Sequence, residues 1–132
     1  MKKILFICTH NSARSQMAEG LTNHFFSDKW QAYSAGTEKT KVKELAIKAM
    51  DKIGIDITHQ FSKRIDHFKG WEFDLVVTVC DNAQETCPFY PGKNVIHKSF
   101  KDPSSIKGDK NEKLKAFCNT RDEIYNWLKT IS

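Results

Sequence analysis

The sequence predicts an α/β fold in which four parallel strands, in the order 2-1-3-4, are covered by helices on both faces. Three observations lead there. Apolar runs over 4–7 and 73–79, bounded by polar sequence, have the length and composition of buried parallel strands. Other segments carry apolar residues at helical spacing, and they alternate with the strand-like runs. The first run leads into a polar loop that opens on Cys8 and closes on Arg14, and a helical pattern starts directly after it. Alternating strands and helices imply a parallel sheet with both faces covered. In the order 2-1-3-4, the end of the first strand is the topological switch point, the crevice where open α/β sheets bind ligands. Cys8 sits there.

The first helix is expected over 15–26, with Ser15 as its cap, Glu19 near its positive end, and Met17, Ala18 and Leu21 on one side. The loop before it has no Gly, so Asn11 is the residue expected to take the left-handed backbone that a tight curl needs. Residues 32–35, ended by Gly36, read as a second strand. Residues 42–53 read as a second helix, with Leu45, Ala46, Ala49 and Ile53 on one face and Gly54 as its stop. From Ile55 to Phe68 the chain reads as an extended connection with one short helical turn. The run over 73–79 is the clearest strand, rich in β-branched residues, and it leads straight into Cys80. Val95 and Ile96 mark a fourth strand, followed by Asp102 and Pro103. The last helix is expected over 111–130, where Leu114, Phe117, Cys118, Ile124 and Leu128 recur at helical spacing.

A strand, a polar loop and a helix start make an anion cradle. The backbone N–H groups of Thr9, His10, Asn11, Ser12, Ala13, Arg14 and Ser15 are placed to converge on one spot. A thiolate at Cys8 is stabilised by those dipoles and by the Arg14 guanidinium. That guanidinium also offers a planar fork to two oxygens of a tetrahedral oxyanion. Ser12 and Ser15 can add hydroxyl donors to the Cys8 sulfur, while the His10 side chain is expected to point outward. The bland reading of Cys8 is a buried small hydrophobe at a strand end, but a thiolate attacking a phosphate-like centre fits the setting better. Asp102 is either a general acid on a loop stiffened by Pro103 or a plain turn residue. Cys80 and Cys87 admit three readings: unrelated buried thiols, a metal site with His59 or His97, or a redox pair. Their spacing is wider than zinc sites ordinarily use. Cys118 reads as a core residue, and the five His form no ligand set, so no metal or cofactor is expected.

Composition narrows the class. The chain has 132 residues and a formal charge of +5, carried mostly by Lys scattered over helical faces and loops. No basic stripe interleaved with aromatics is present, so nucleic acid is not expected as a partner. No apolar stretch approaches a membrane span, and the N-terminal apolar run is too short for a signal peptide. Four cysteines in such a chain point to a reducing cytoplasm, where thiols serve catalysis or metal binding. With no repeat or linker, residues 1–132 are expected to form a single catalytic domain.

The stretch from Cys8 through Arg14 and Ser15 to Glu19 resembles the low-molecular-weight tyrosine phosphatase superfamily and, within it, the thioredoxin-coupled arsenate reductases. The resemblance spans nearly the whole chain, in length and in order of motifs, and implies a low-molecular-weight phosphatase-like fold. It implies that Cys8 is the nucleophile, Arg14 the oxyanion clamp and Asp102 the acid. It also implies that Cys80 and Cys87 relay oxidation away from Cys8, with arsenate as substrate and thioredoxin as reductant. Two departures from phosphatases stand out. Ser104 and Ser105 follow the acid where phosphatases carry ring-gripping aromatics, and Gln16 replaces their Pro after the loop. Both favour a small inorganic oxyanion. A phosphatase is the runner-up, and a non-catalytic thiol sensor of arsenite or zinc is a third reading. Some relatives of this kind hold potassium under the loop through residues matched by Asn11, Glu19 and Ser34. Here Lys63 stands where they place a carboxylate, and its ammonium is expected to take the cation's place beside Glu19.

Overall fold

The computed structural model describes residues 1–81 and 90–132. Its strands are β1 (Lys2–Ile7), β2 (Trp30–Ala35), β3 (Leu75–Thr78) and β4 (Asn94–His97), all parallel, in the order β2-β1-β3-β4. Its α-helices are α1 (Arg14–Phe25), α2 (Glu44–Asp51) and α3 (Lys110–Ile131). The expected topology is the observed one.

β1 is central, and side-chain alternation splits it between two cores. Ile4 and Phe6 join the larger core with Met17 and Leu21 of α1, Ala46, Ala49 and Met50 of α2, and Phe117, Ile124 and Leu128 of α3. Leu5 and Ile7 face the other side, where they meet Ala35, Phe68, Phe73, Val76 and Tyr90. Among the described residues, that side is covered by the 3-10 turn Ile65–Phe68 and by aromatic rings packed edge to face. Among the described residues helical cover is therefore present on both faces but unequal, with α1, α2 and α3 on the Ile4 and Phe6 side. The fully buried run from Ile4 to Ile7 holds the end of β1, and hence Cys8, at a fixed depth between the two cores.

Several boundaries move. β2 begins at Trp30, α2 is shorter than its apolar periodicity suggests, and Ile53 falls outside it with an exposed side chain. Gly54, at φ +80°, follows α2 in the left-handed conformation expected of a stop. Ser15 does not cap α1. The cap position belongs to Ala13, whose methyl offers no acceptor, while Ser15 lies inside the helix with its hydroxyl bonded to Asn11 and close to Cys8. Cys118 is half-buried and packs against the larger core, as expected.

α3 is tied to α2 by Arg121, a largely buried guanidinium whose Nη1 donates to the Ala49 carbonyl at 2.6 Å. Losing that donor leaves a buried carbonyl unmet. Arg121→Leu should lower stability by about 1–3 kcal/mol in urea unfolding. Stability equal to the parent's would show that the contact contributes nothing net.

Candidate active site

The loop between β1 and α1 is shaped by what its carbonyls bond to. Thr9 O accepts from the backbone N–H groups of Thr37 and Glu38 and from the Thr37 hydroxyl. His10 O accepts from the hydroxyls of Thr40 and Ser62. Asn11 O accepts from a side-chain amide, and Ser12 O from Lys43 N–H at 2.8 Å. Every one of these donors lies outside the loop. In a trans peptide the N–H points opposite the C=O, so carbonyls drawn outward turn the N–H groups of residues 10–13 toward the concave side. Asn11, at φ +49°, is the only non-Gly residue with positive φ among the described residues, and it is the one expected. Packing against Gly36 completes the curl. A Cβ there would lie 2.6 Å from Thr9 O, 2.8 Å from Cys8 O and 2.9 Å from Asn11 N.

Cys8 is buried and carries a free thiol. Its Sγ lies 2.9 Å from the Ser15 hydroxyl, which accepts from Asn11 Nδ2 at 2.8 Å. Ser15 therefore has its hydrogen available for the sulfur. Of the two serines expected to help the thiol, only this one reaches it. The Ser12 hydroxyl makes no such contact among the described residues. Arg14, 3% exposed, is anchored through Nη1 on the Phe100 carbonyl at 3.2 Å. Its Nη2 lies 3.8 Å from Asp102 Oδ2, so the segment after β4 brings Asp102 to the mouth of the loop. Asp102 Oδ1 accepts from the Ser104 N–H and hydroxyl, leaving Oδ2 as the atom that faces Arg14. His10 points outward, as expected, but is held by Glu38, with Nδ1 2.9 Å from Oε2.

Cys80 follows β3. Pairing of Ile7 with Thr78 sets the two strand ends side by side, so Cys8 and Cys80 emerge at one edge of the sheet and share one core cluster. Cys80 is disulfide-bonded, whereas Cys8 and Cys118 are free. The expectation for Cys87 falls outside the described residues. No group of His, Cys, Asp or Glu among the described residues could hold a metal ion.

Beneath the loop lies a buried ion pair. Lys63 Nζ is 3.8 Å from Glu19 Oε1, which also accepts from the Ser34 hydroxyl at 2.6 Å. Burial pushes the Glu19 carboxyl above its ordinary value even though Lys63 pulls it down, and burial pushes the Lys63 ammonium down. An ammonium already faces the carboxylate, so these residues do not fit a further cation. Sequence reasoning missed the Gly36 contact, the Phe100 anchor and the donors that hold the loop carbonyls. Two of these left a signal: Gly36 as a lone Gly after a strand, and the donor Gln16 as a departure from proline.

Substitution tests both the close approach and the ion pair. Gly36→Ala presses a methyl onto backbone atoms that cannot rotate away, so phosphate affinity measured by calorimetry should fall about tenfold or more; parent-like affinity would contradict the close approach. Lys63→Met leaves Glu19 without its counter-charge. A carboxyl whose folded pKa is raised loses stability as pH rises through that value, and removing Lys63 raises it further. The variant should be less stable than the parent by about 3 kcal/mol at neutral pH, with the gap closing as pH falls toward the ordinary carboxyl value of 4.5. For the parent, exchanging sodium for potassium should leave the melting temperature unchanged; a rise of several degrees would show a cation site that the ammonium does not fill.

Comparison with known proteins agrees with the architecture. The pattern described as low molecular weight phosphotyrosine protein phosphatase matches residues 3–130. An arsenate reductase of Halalkalibacterium halodurans is 46% identical over 132 residues, covering 99% of this chain and 95% of that protein. An arsenate reductase of Bacillus subtilis is 45% identical over the same shares. A solved arsenate reductase in its phosphate-binding state superposes with a TM-score of 0.84 at 29% identity, covering 99% of this chain and 96% of that one. With nearly its whole length matched, the chain belongs to the low-molecular-weight phosphotyrosine protein phosphatase family.

Proposed function

We propose that the protein is an arsenate reductase that uses the Cys8 loop to bind arsenate and a cysteine relay to reduce it, with thioredoxin as the final reductant. One observation carries this reading beyond a phosphatase: a disulfide-bonded Cys80 stands at the strand end next to a free Cys8. A phosphatase needs the nucleophile but has no use for a second thiol there. The names of the 46% and 45% identical relatives point the same way.

The described geometry supports the binding and attack steps, and thiol–disulfide exchange completes the reaction. Arsenate sits on the N–H groups of residues 10–13 and on the Arg14 fork. The Cys8 thiolate attacks arsenic, an S–As bond forms, and the departing oxygen leaves as water after taking a proton from Asp102. The Cys80 thiolate then attacks the Cys8 sulfur. The S–As bond breaks with its electron pair moving to arsenic, so arsenic(V) becomes arsenic(III), and arsenite leaves behind a Cys8–Cys80 disulfide. Attack by Cys87 on Cys80 frees the Cys8 thiol and stores the oxidation in a second disulfide. Thioredoxin reduces that disulfide by thiol–disulfide exchange, taking up the oxidation itself. Ser104 binds Asp102 where an aromatic wall would be needed for a phenyl ester, which disfavours a tyrosine phosphatase.

Arsenate-dependent NADPH consumption with thioredoxin and thioredoxin reductase tests the reading, with phenyl phosphate hydrolysis run beside it. Cys8→Ser should abolish both activities, and Arg14→Lys should lower both by about 100-fold or more, since a point charge cannot grip two oxygens. Cys80→Ser should release no arsenite yet keep any slow ester hydrolysis. Arsenate turnover by Cys80→Ser at the parent's rate would rule out the relay.

A further inference from the structure

We infer that Gln16 is a positioning residue for the anion loop, acting on Cys8 through Asn11 and Ser15; this rests on the oxyanion-binding part of the function proposed above. Gln16 is fully buried in the first turn of α1. Its Nε2 lies 3.0 Å from Asn11 O, 2.8 Å from Asn11 Oδ1 and 3.0 Å from Phe61 O. An amide nitrogen has two hydrogens, so three oxygens converge on one donor group and only a donor is tolerated there. The other end of the amide is fixed as well, because Oε1 accepts from Gln60 Nε2 at 2.9 Å.

What Gln16 grips is the residue with the least favourable backbone in the loop. The left-handed conformation of Asn11 is costly for an L-residue, and Gln16 holds it through both the carbonyl and the side chain. Asn11 Oδ1 also accepts from the Lys63 N–H at 3.0 Å. With Oδ1 occupied twice, the Asn11 amide can turn only one way, and Nδ2 reaches Ser15 Oγ at 2.8 Å. Ser15 Oγ in turn lies 2.9 Å from Cys8 Sγ. Gln16 thus fixes the orientation of one anion-facing peptide and of the hydroxyl beside the nucleophile, without touching either sulfur or substrate.

The test measures phosphate binding by its protection of Cys8 from iodoacetamide, followed by peptide mapping, in the full chain. Gln16→Met keeps the length and removes the hydrogen bonds, and phosphate affinity should fall about tenfold. Gln16→Glu keeps the shape but sets an acceptor against three oxygens, and the loss should be larger. Gln60→Met removes only the outer support and should cost about threefold. Thr22→Val, a buried change elsewhere on α1, should lower the melting temperature without moving phosphate affinity. Gln16→Met with a lower melting temperature but affinity within twofold of the parent's would reduce Gln16 to packing and overturn the inference. If the Gln16 variants do not fold, unchanged affinity in Gln60→Met overturns it. A parent that phosphate does not protect would overturn the anion loop itself, and Gln16's role with it.

Discussion

Four consecutive carbonyls, from Thr9 to Ser12, are drawn out of the loop by hydrogen bonds to residues 16, 37, 38, 40, 43 and 62. Everything else about the site depends on that outward pull. A loop of this length without glycine has no intrinsic reason to turn its N–H groups inward, and each peptide free to flip would present a carbonyl oxygen to an incoming anion. Holding the oxygens from behind removes that alternative before any ligand arrives. The donors come from the segment after β2, from the start of α2, from the residues after the Asp56–Thr58 turn, and from α1 itself. Two connections, the one after β2 and the one after α2, thus converge with α1 on the outside of one seven-residue loop. Preorganised donors of this kind stabilise charge without having to reorganise when it develops.

Order in the loop is matched by an uncommon polar interior. The Glu19 and Lys63 pair beneath it is mostly buried, and burial opposes charge on both partners. Such pairs cost desolvation that their attraction only partly offsets. Position accounts for its presence better than stability does. Lys63 supplies a backbone N–H to Asn11 and, through Nζ, a donor to the Phe61 carbonyl that Gln16 also uses. The ion pair therefore anchors the segment that holds the loop from behind. Above the loop, the long reach from Arg14 to Phe100 and Asp102 brings the C-terminal half of the sheet to the same point. In the proposed reaction that reach joins the oxyanion clamp to the acid.

Local chemistry made much of this legible. The strand order follows from alternating apolar runs and helical periods, and the left-handed Asn11 follows from a tight loop with no glycine in it. Ser15 shows where local rules stop. A serine at a helix start reads as a cap, but here its hydroxyl accepts from the amide of Asn11 and faces the sulfur of Cys8, and both partners are set by the tertiary fold. Gly36 was visible only as a strand end because its function is a close approach to a loop that lies 25 or more residues earlier in the chain. The pairing of Lys63 with Glu19 was readable through resemblance, whereas no periodicity or spacing joins those two positions. Gln16 carried a signal only as a departure from proline.

Before any anion binds, the N–H groups of residues 10–13 are already turned toward the place it will occupy. Titration of isotope-labelled protein with phosphate, followed by amide nitrogen and proton chemical shifts, tests this most directly. Saturable shifts concentrated on His10, Asn11, Ser12 and Ala13, with the Thr37 and Lys43 amides nearly unmoved, are the predicted result. Shifts spread over exposed lysines, or large shifts at Thr37 and Lys43 showing that the carbonyl ties break and re-form on binding, would contradict it.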